Sequence, residues 1–144
     1  MHHNICKMYP DKCSRVRVMI AVKDLVGVPY KEHGRDCGGM DCYGLVKEVL
    51  RRTGKNMPDV FYKDAKTETN KFILENLENA VPNTKLDKPE EGAVAEILVM
   101  GLPSHVGVCL GDGTFIHALK RIGVVIEPLS RYRHKIKGFY RVNN

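Results

Sequence analysis

No apolar run in this chain of 144 residues approaches the roughly 20 residues of a membrane-spanning helix. The stretch from Ala93 to Met100 is short and interrupted by Glu96. The N-terminus, Met1-His2-His3-Asn4-Ile5-Cys6-Lys7, lacks the continuous apolar region of a secretory signal. That gives the expectation of cytoplasmic synthesis and a reducing compartment. There is no internal repeat, low-complexity tract or linker to divide the chain, so a single domain over residues 1–144 is expected, with an irregular segment over 1–13. At this length folding should bury roughly 68–70% of the unfolded chain's surface, enough for its own core.

Metal-binding patterns are also missing. The five cysteines, at 6, 13, 37, 42 and 109, form neither paired C-x-x-C clusters nor a C-x-x-C followed by two histidines, which argues against structural zinc. An odd count in a chain of this size points to a reduced protein with one special thiol, and no metal or organic cofactor is implied. Cys37, in a glycine-rich loop, is a second candidate for a reactive thiol. The net charge is +6, with basic residues thickest between Arg131 and Arg141. Such charge suits either a solvated, soluble surface or attraction to an anionic polymer such as nucleic acid or bacterial wall, and alone decides nothing between them. No recognition helix, zinc finger or aromatic RNA-binding signature accompanies that charge, so nucleic acid is not the expected partner.

What is present divides into a helical first half and a strand-rich second half. Ser14 can cap a helix from Arg15 to about Val26, stopped by Gly27. Asp41 is a good N-cap for a helix over Cys42 to Thr53, with Leu45, Val46, Val49 and Leu50 as its buried stripe and Gly54 past its end. A third helix is expected from Thr67 to about Asn79. Strands follow at Ala93–Met100, His105–Leu110, Thr114–Leu119, Val124–Glu127 and Ile136–Val142. The segregation predicts an α+β fold, N-terminal helices packed on a C-terminal antiparallel sheet of about five strands.

Two features of this layout carry chemistry. Cys42 opens a helix, where unpaired N–H groups and the helix dipole favour the thiolate, the reactive form. An acidic thiol is therefore expected there. Gly111-Asp112-Gly113 fits a three-residue hairpin loop with Gly113 at positive φ. That loop opposes Gly107 to His117 and puts His105 on the same face, so the two histidines become diagonal neighbours roughly 7–8 Å apart at the backbone. A loop of two or four residues would put them on opposite faces. Gly107 leaves room for both rings. A cysteine, an imidazole base and a group to orient it form the constellation of a thiol hydrolase.

Three ordered segments then resemble a known family. Pro29-Tyr30, Gly38-Gly39 and Asp41-Cys42-Tyr43-Gly44-Leu45-Val46 resemble the nucleophile region of the NlpC-type cysteine peptidases. Ser104-His105-Val106-Gly107-Val108, through Leu110-Gly111-Asp112-Gly113 to Phe115-Ile116-His117-Ala118, resembles their histidine hairpin. The likeness runs from about Val18 to Val142. It implies a papain-like domain cutting peptidoglycan stem peptides through a thioester, with Cys42 as nucleophile, His105 as general base and His117 as its orienter. It further implies Tyr30 beside the thiol and the oxyanion, and Asp41 and Tyr43 flanking the nucleophile as substrate-binding residues. Tyr43 stands where the common pattern has Ser. It resembles the phage-tail branch, as does the ending Ile136-Lys137-Gly138-Phe139-Tyr140-Arg141-Val142, so tail proteins are possible partners. A non-catalytic tail or wall-binding module and a thioester-forming acyltransferase are the alternatives.

Overall fold

The computed structural model describes residues 20–58, 82–99 and 101–143, without the side chains of 102–104. Two short strands, β1 (Arg35–Asp36) and β2 (Gly39–Met40), form a small ribbon ahead of one α-helix, α1 (Cys42–Arg52). Six strands then make one sheet: β3 (Asn83–Leu86), β4 (Val94–Val99), β5 (Leu102–Cys109), β6 (Thr114–Leu119), β7 (Gly123–Pro128) and β8 (Ile136–Val142). Their spatial order is β3-β8-β4-β5-β6-β7, with every neighbouring pair antiparallel. Helix first and antiparallel sheet after is the expected α+β arrangement. The strands at 94–99, 114–119, 123–128 and 136–142 match their predicted places within a residue or two, and β5 begins three residues early. The edge strand β3, all polar but for Leu86, carries no alternating pattern and was not foreseen.

The sheet is buried on both faces. On one, Val94, Val106, Val108, Ile116, Ala118, Val124 and Val142 pack with Leu45, Val46, Val49 and Leu50 of α1. Those four helix residues are fully buried, as the 3.6-residue periodicity requires. On the other, Ala93, Ala95, Ile97, Cys109 and Phe115 pack under a 3-10 segment, Leu129–Lys135, through Leu129 and Tyr132.

The helix expected over 15–26 is not borne out where it can be seen. From Ile20 to Val26 the chain makes only one 3-10 turn, Lys23–Leu25. At its start the Ile20 N–H donates to Glu91 at 2.9 Å, and just past its end the Gly27 N–H donates to the Val124 carbonyl of the edge strand at 2.9 Å, while the Leu25 and Val26 amides close only the 3-10 turn. Pairing with the edge strand competes with helix here and wins. Residues 15–19, and the helix expected over 67–79, lie outside the described residues.

Candidate active site

The start of α1 is held from several directions. Asp41 is extended (φ −91°, ψ −177°), and its Oδ1 accepts the Gly44 N–H at 2.8 Å, which is N-cap geometry. The same oxygen accepts from Arg35 Nη1 at 3.0 Å, while Oδ2 takes the His33 N–H at 3.0 Å. The loop before the helix is thereby tied to the first turn. Arg35 reaches back to the Gly34 carbonyl at 2.9 Å. Tyr30 arrives through a backbone bridge to Met40, two residues before Cys42.

Cys42 is 5% exposed, and the backbone amides around it, those of Val106 and Tyr43 among them, favour the anion of its sulfur. Their effect is outweighed. Burial pushes the thiol up to about 12, with the Asp41 carboxylate adding to the rise. The acidic thiol expected from the helix start is thus not borne out in direction: the shift is upward, because desolvation opposes the anion more strongly than the amides favour it. Tyr30 is raised as well, first by its own burial and then by Cys42, so the phenol lies within electrostatic reach of the thiol.

The histidine hairpin has the predicted register. Gly107 opposes His117, Val108 opposes Ile116, Cys109 opposes Phe115, and Gly113 takes φ +90°. The rings meet, with His105 Nε2 2.9 Å from His117 Nδ1. A Cβ on Gly107 would stand 2.7 Å from the Phe115 ring and 3.0 Å from the His117 Cβ, so the glycine is required by close approach. β6 pairs with β5 only over Gly107–Cys109, leaving His105 and Val106 where the two strands part. His105 also faces Ile97 beside a bulge in β4. Bulges next to sites re-aim side chains. The sulfur, contacted by the Val106 amide, therefore sits next to the residue that follows His105.

The chain of contacts continues past His117, and this part was missed from the sequence. His117, fully buried, places Nε2 2.7 Å from Glu127 Oε1. Tyr132 donates to the same oxygen at 2.6 Å and Arg131 to Oε2 at 2.5 Å. Val125 opposes His117, so Glu127 is diagonal to it, by the same rule that joins His117 to His105. Carrying the hairpin register one strand further would have found it. Burial lowers His105 to about 3, reinforced by His117 and opposed by Glu127. Burial likewise lowers His117, against Glu127. Both shifts favour the neutral ring.

The neighbours of the nucleophile are held in place as well. Asp41 and Tyr43 are each 2% exposed, and the Tyr43 hydroxyl donates to the Pro58 carbonyl at 2.7 Å. Both side chains are largely buried and hydrogen-bonded within the fold. Cys37 is disulfide-bonded, so it does not stand here as a second reactive thiol. The free cysteines among the described residues are Cys42 and Cys109, both buried. Among the described residues no three His, Cys, Asp or Glu side chains group as a metal site, and no helix is long and apolar enough to cross a membrane.

The neutral thiol yields a direct test. Alkylation of Cys42 by iodoacetamide, followed by peptide mass spectrometry, should be at least about tenfold slower at pH 7.5 than that of a free thiol with pKa about 8.5. The rate should keep rising through pH 10. A plateau near or below 8.5 would show that burial does not dominate.

The sequence profile of the NlpC/P60 family matches residues 27–139. Among solved structures, an NlpC/P60 family protein from Bacillus cereus ATCC 10987 superposes with TM-score 0.61 and 23% identity, over 85% of this chain and 38% of that one. The NlpC/p60 domain of peptidoglycan hydrolase SagA gives TM-score 0.56 and 23% identity, over 83% and 90%. NlpC2 from Trichomonas vaginalis gives 0.58 and 19%, over 84% and 44%. The chain thus spans under half the length of the Bacillus and Trichomonas proteins and nearly all of the SagA domain.

Proposed function

The chain belongs to the NlpC/P60 family, and we propose that it is a cysteine endopeptidase that hydrolyses amide bonds in peptidoglycan stem peptides. One observation carries the reading. A thiol on a capped helix start, met by the Val106 amide, adjoins a strand whose His105 is bonded to a second, fully buried histidine. Likeness to a domain of a peptidoglycan hydrolase supports the choice of wall peptides as substrate class.

In this mechanism the Cys42 sulfur attacks the scissile carbonyl while His105 takes its proton. Thiolate and imidazolium arise together from a neutral pair, so charge appears only as the reaction begins. The amides around the sulfur favour that separation. The developing oxyanion is met by the Cys42 N–H and the Tyr30 hydroxyl, which burial keeps protonated. His105 then gives its proton to the leaving amine, leaving a thioester. A water, deprotonated by His105, attacks that thioester; the proton passes from His105 to sulfur as the new carboxylic acid leaves and gives up its own proton to solvent. The proposal includes a setting in a phage or prophage tail, supported by Tyr43 after the nucleophile and by the C-terminal run from Ile136.

Purified muropeptides, incubated with the protein and with Cys42→Ala, test the reading by mass spectrometry. The expected result is cleaved peptides bearing a new free carboxyl group, absent from the variant. Products joined to an added amine would replace hydrolysis by acyl transfer. Unchanged muropeptides would overturn the enzyme reading in favour of a wall-binding module.

A further inference from the structure

Glu127 is surrounded by donors. The Arg131 guanidinium donates to Oε2 and the Tyr132 hydroxyl to Oε1. Burial alone would raise its pKa, but the Tyr132, His117 and Arg131 donors hold the carboxyl below its ordinary value. It is therefore an anion with no proton to give. The proton between Glu127 Oε1 and His117 Nε2, 2.7 Å apart, must then reside on the imidazole.

The consequence passes along the relay. A neutral imidazole with hydrogen on Nε2 has a bare lone pair on Nδ1. His117 Nδ1 lies 2.9 Å from His105 Nε2, and only His105 can supply the proton of that bond. His105 thus carries hydrogen on Nε2 and keeps Nδ1 unprotonated. With the opposite polarity, Nδ1 of His105 would already hold a proton and could accept none.

We propose that Glu127 is the positioning residue of this site, fixing through His117 which ring nitrogen of His105 is free to take a proton. Only the last step, transfer from the Cys42 sulfur, rests on the peptidase reading. Glu127 is suited to this: its side chain is 15% exposed, and the turn after Pro128 folds Arg131 and Tyr132 back onto it. The anion does not touch the reacting atoms. It acts by removing one of two tautomers that the ring pair would otherwise share.

Long-range ¹H–¹⁵N correlation spectra of the histidine-labelled chain at pH 8 test this without any substrate. The expected parent spectrum has hydrogen on Nε2 of both His105 and His117. In Glu127→Gln the amide oxygen can still accept from His117, so the same tautomers should persist, with kcat reduced no more than about tenfold. In Glu127→Ala the restraint is gone. His117 should show a mixture of tautomers, and kcat should fall about 10²-fold with KM within about twofold. A proton on His117 Nδ1 in the parent would overturn the proposal. So would a Glu127→Ala spectrum identical to the parent's. Should Glu127→Ala not fold, the parent and Glu127→Gln spectra still decide it. Absence of muropeptide cleavage would sink the peptidase reading while leaving the tautomer result standing.

Discussion

Cys42→Ala and His105→Ala should each abolish muropeptide cleavage to the limit of detection, a loss on the order of 10⁴–10⁶-fold, and the double variant should be no worse than either single one. Residues that act as one unit are not additive: without the sulfur there is nothing for the base to deprotonate, and without the base the thiol stays neutral. The neutral resting pair makes this expectation sharp. Burial raises the thiol, so removing His105 takes away the group that would draw its proton. His117→Ala should lose less, about 10²-fold, because the ring orients His105 and does not touch the substrate. The fold should survive Cys42→Ala, since the cap is made by the Asp41 side chain and the Gly44 amide, and trimming one buried sulfur costs about 1 kcal/mol. Kinetics on muropeptides, with thermal melting alongside, check both parts. Losses that multiply in the double variant would mean the two groups do not act on one proton.

The parts of this site legible in the sequence are those set by local pattern. The odd-length loop at Gly111–Gly113 fixes strand parity, and parity alone puts His105 and His117 on one face. Asp41 before an apolar stripe announces the helix that carries Cys42. What escaped depends on distant chain. Burial of Cys42 is set by the strand that follows sixty-odd residues later, so the sign of its pKa shift was not readable from the helix start. The Tyr132 and Arg131 contacts require the turn after Pro128 to double back, a geometry with no short-range signature beyond the proline. The segment from Ile20 to Val26 looked helical because its apolar spacing fits, yet the Ile20 amide bonds to Glu91, the Leu25 and Val26 amides close only a 3-10 turn, and Gly27 beyond them bonds to the sheet edge. The packing of Tyr43, with the Arg35 guanidinium 5.6 Å from its ring centroid, likewise depends on the loop before the helix and has no signature in the motif.

Gly44→Ala separates local propensity from tertiary fit, because the two give opposite signs. Gly44 lies in the first turn of α1, where alanine is intrinsically better by about 1 kcal/mol. A Cβ there, however, would come within 2.1 Å of the Gly34 carbonyl oxygen, a backbone atom, and 3.1 Å of Arg35 Nη1. That carbonyl cannot rotate away independently. It accepts from Arg35, whose guanidinium is bonded to Asp41, and Asp41 is the cap of the same helix. Relief requires the loop and the helix start to separate by roughly 1 Å, an overpacking cost of about 1–3 kcal/mol that also strains the cap. The expected net effect is destabilisation by about 2 kcal/mol, measured as a lower denaturation midpoint with an unchanged slope. Activity should fall further than stability explains. Cys42 sits two residues before Gly44 on the displaced turn, and a shift of about 1 Å in a reacting group costs about 10²-fold. A stabilised Gly44→Ala protein with normal cleavage would mean that the loop over 31–40 does not hold the nucleophile in place.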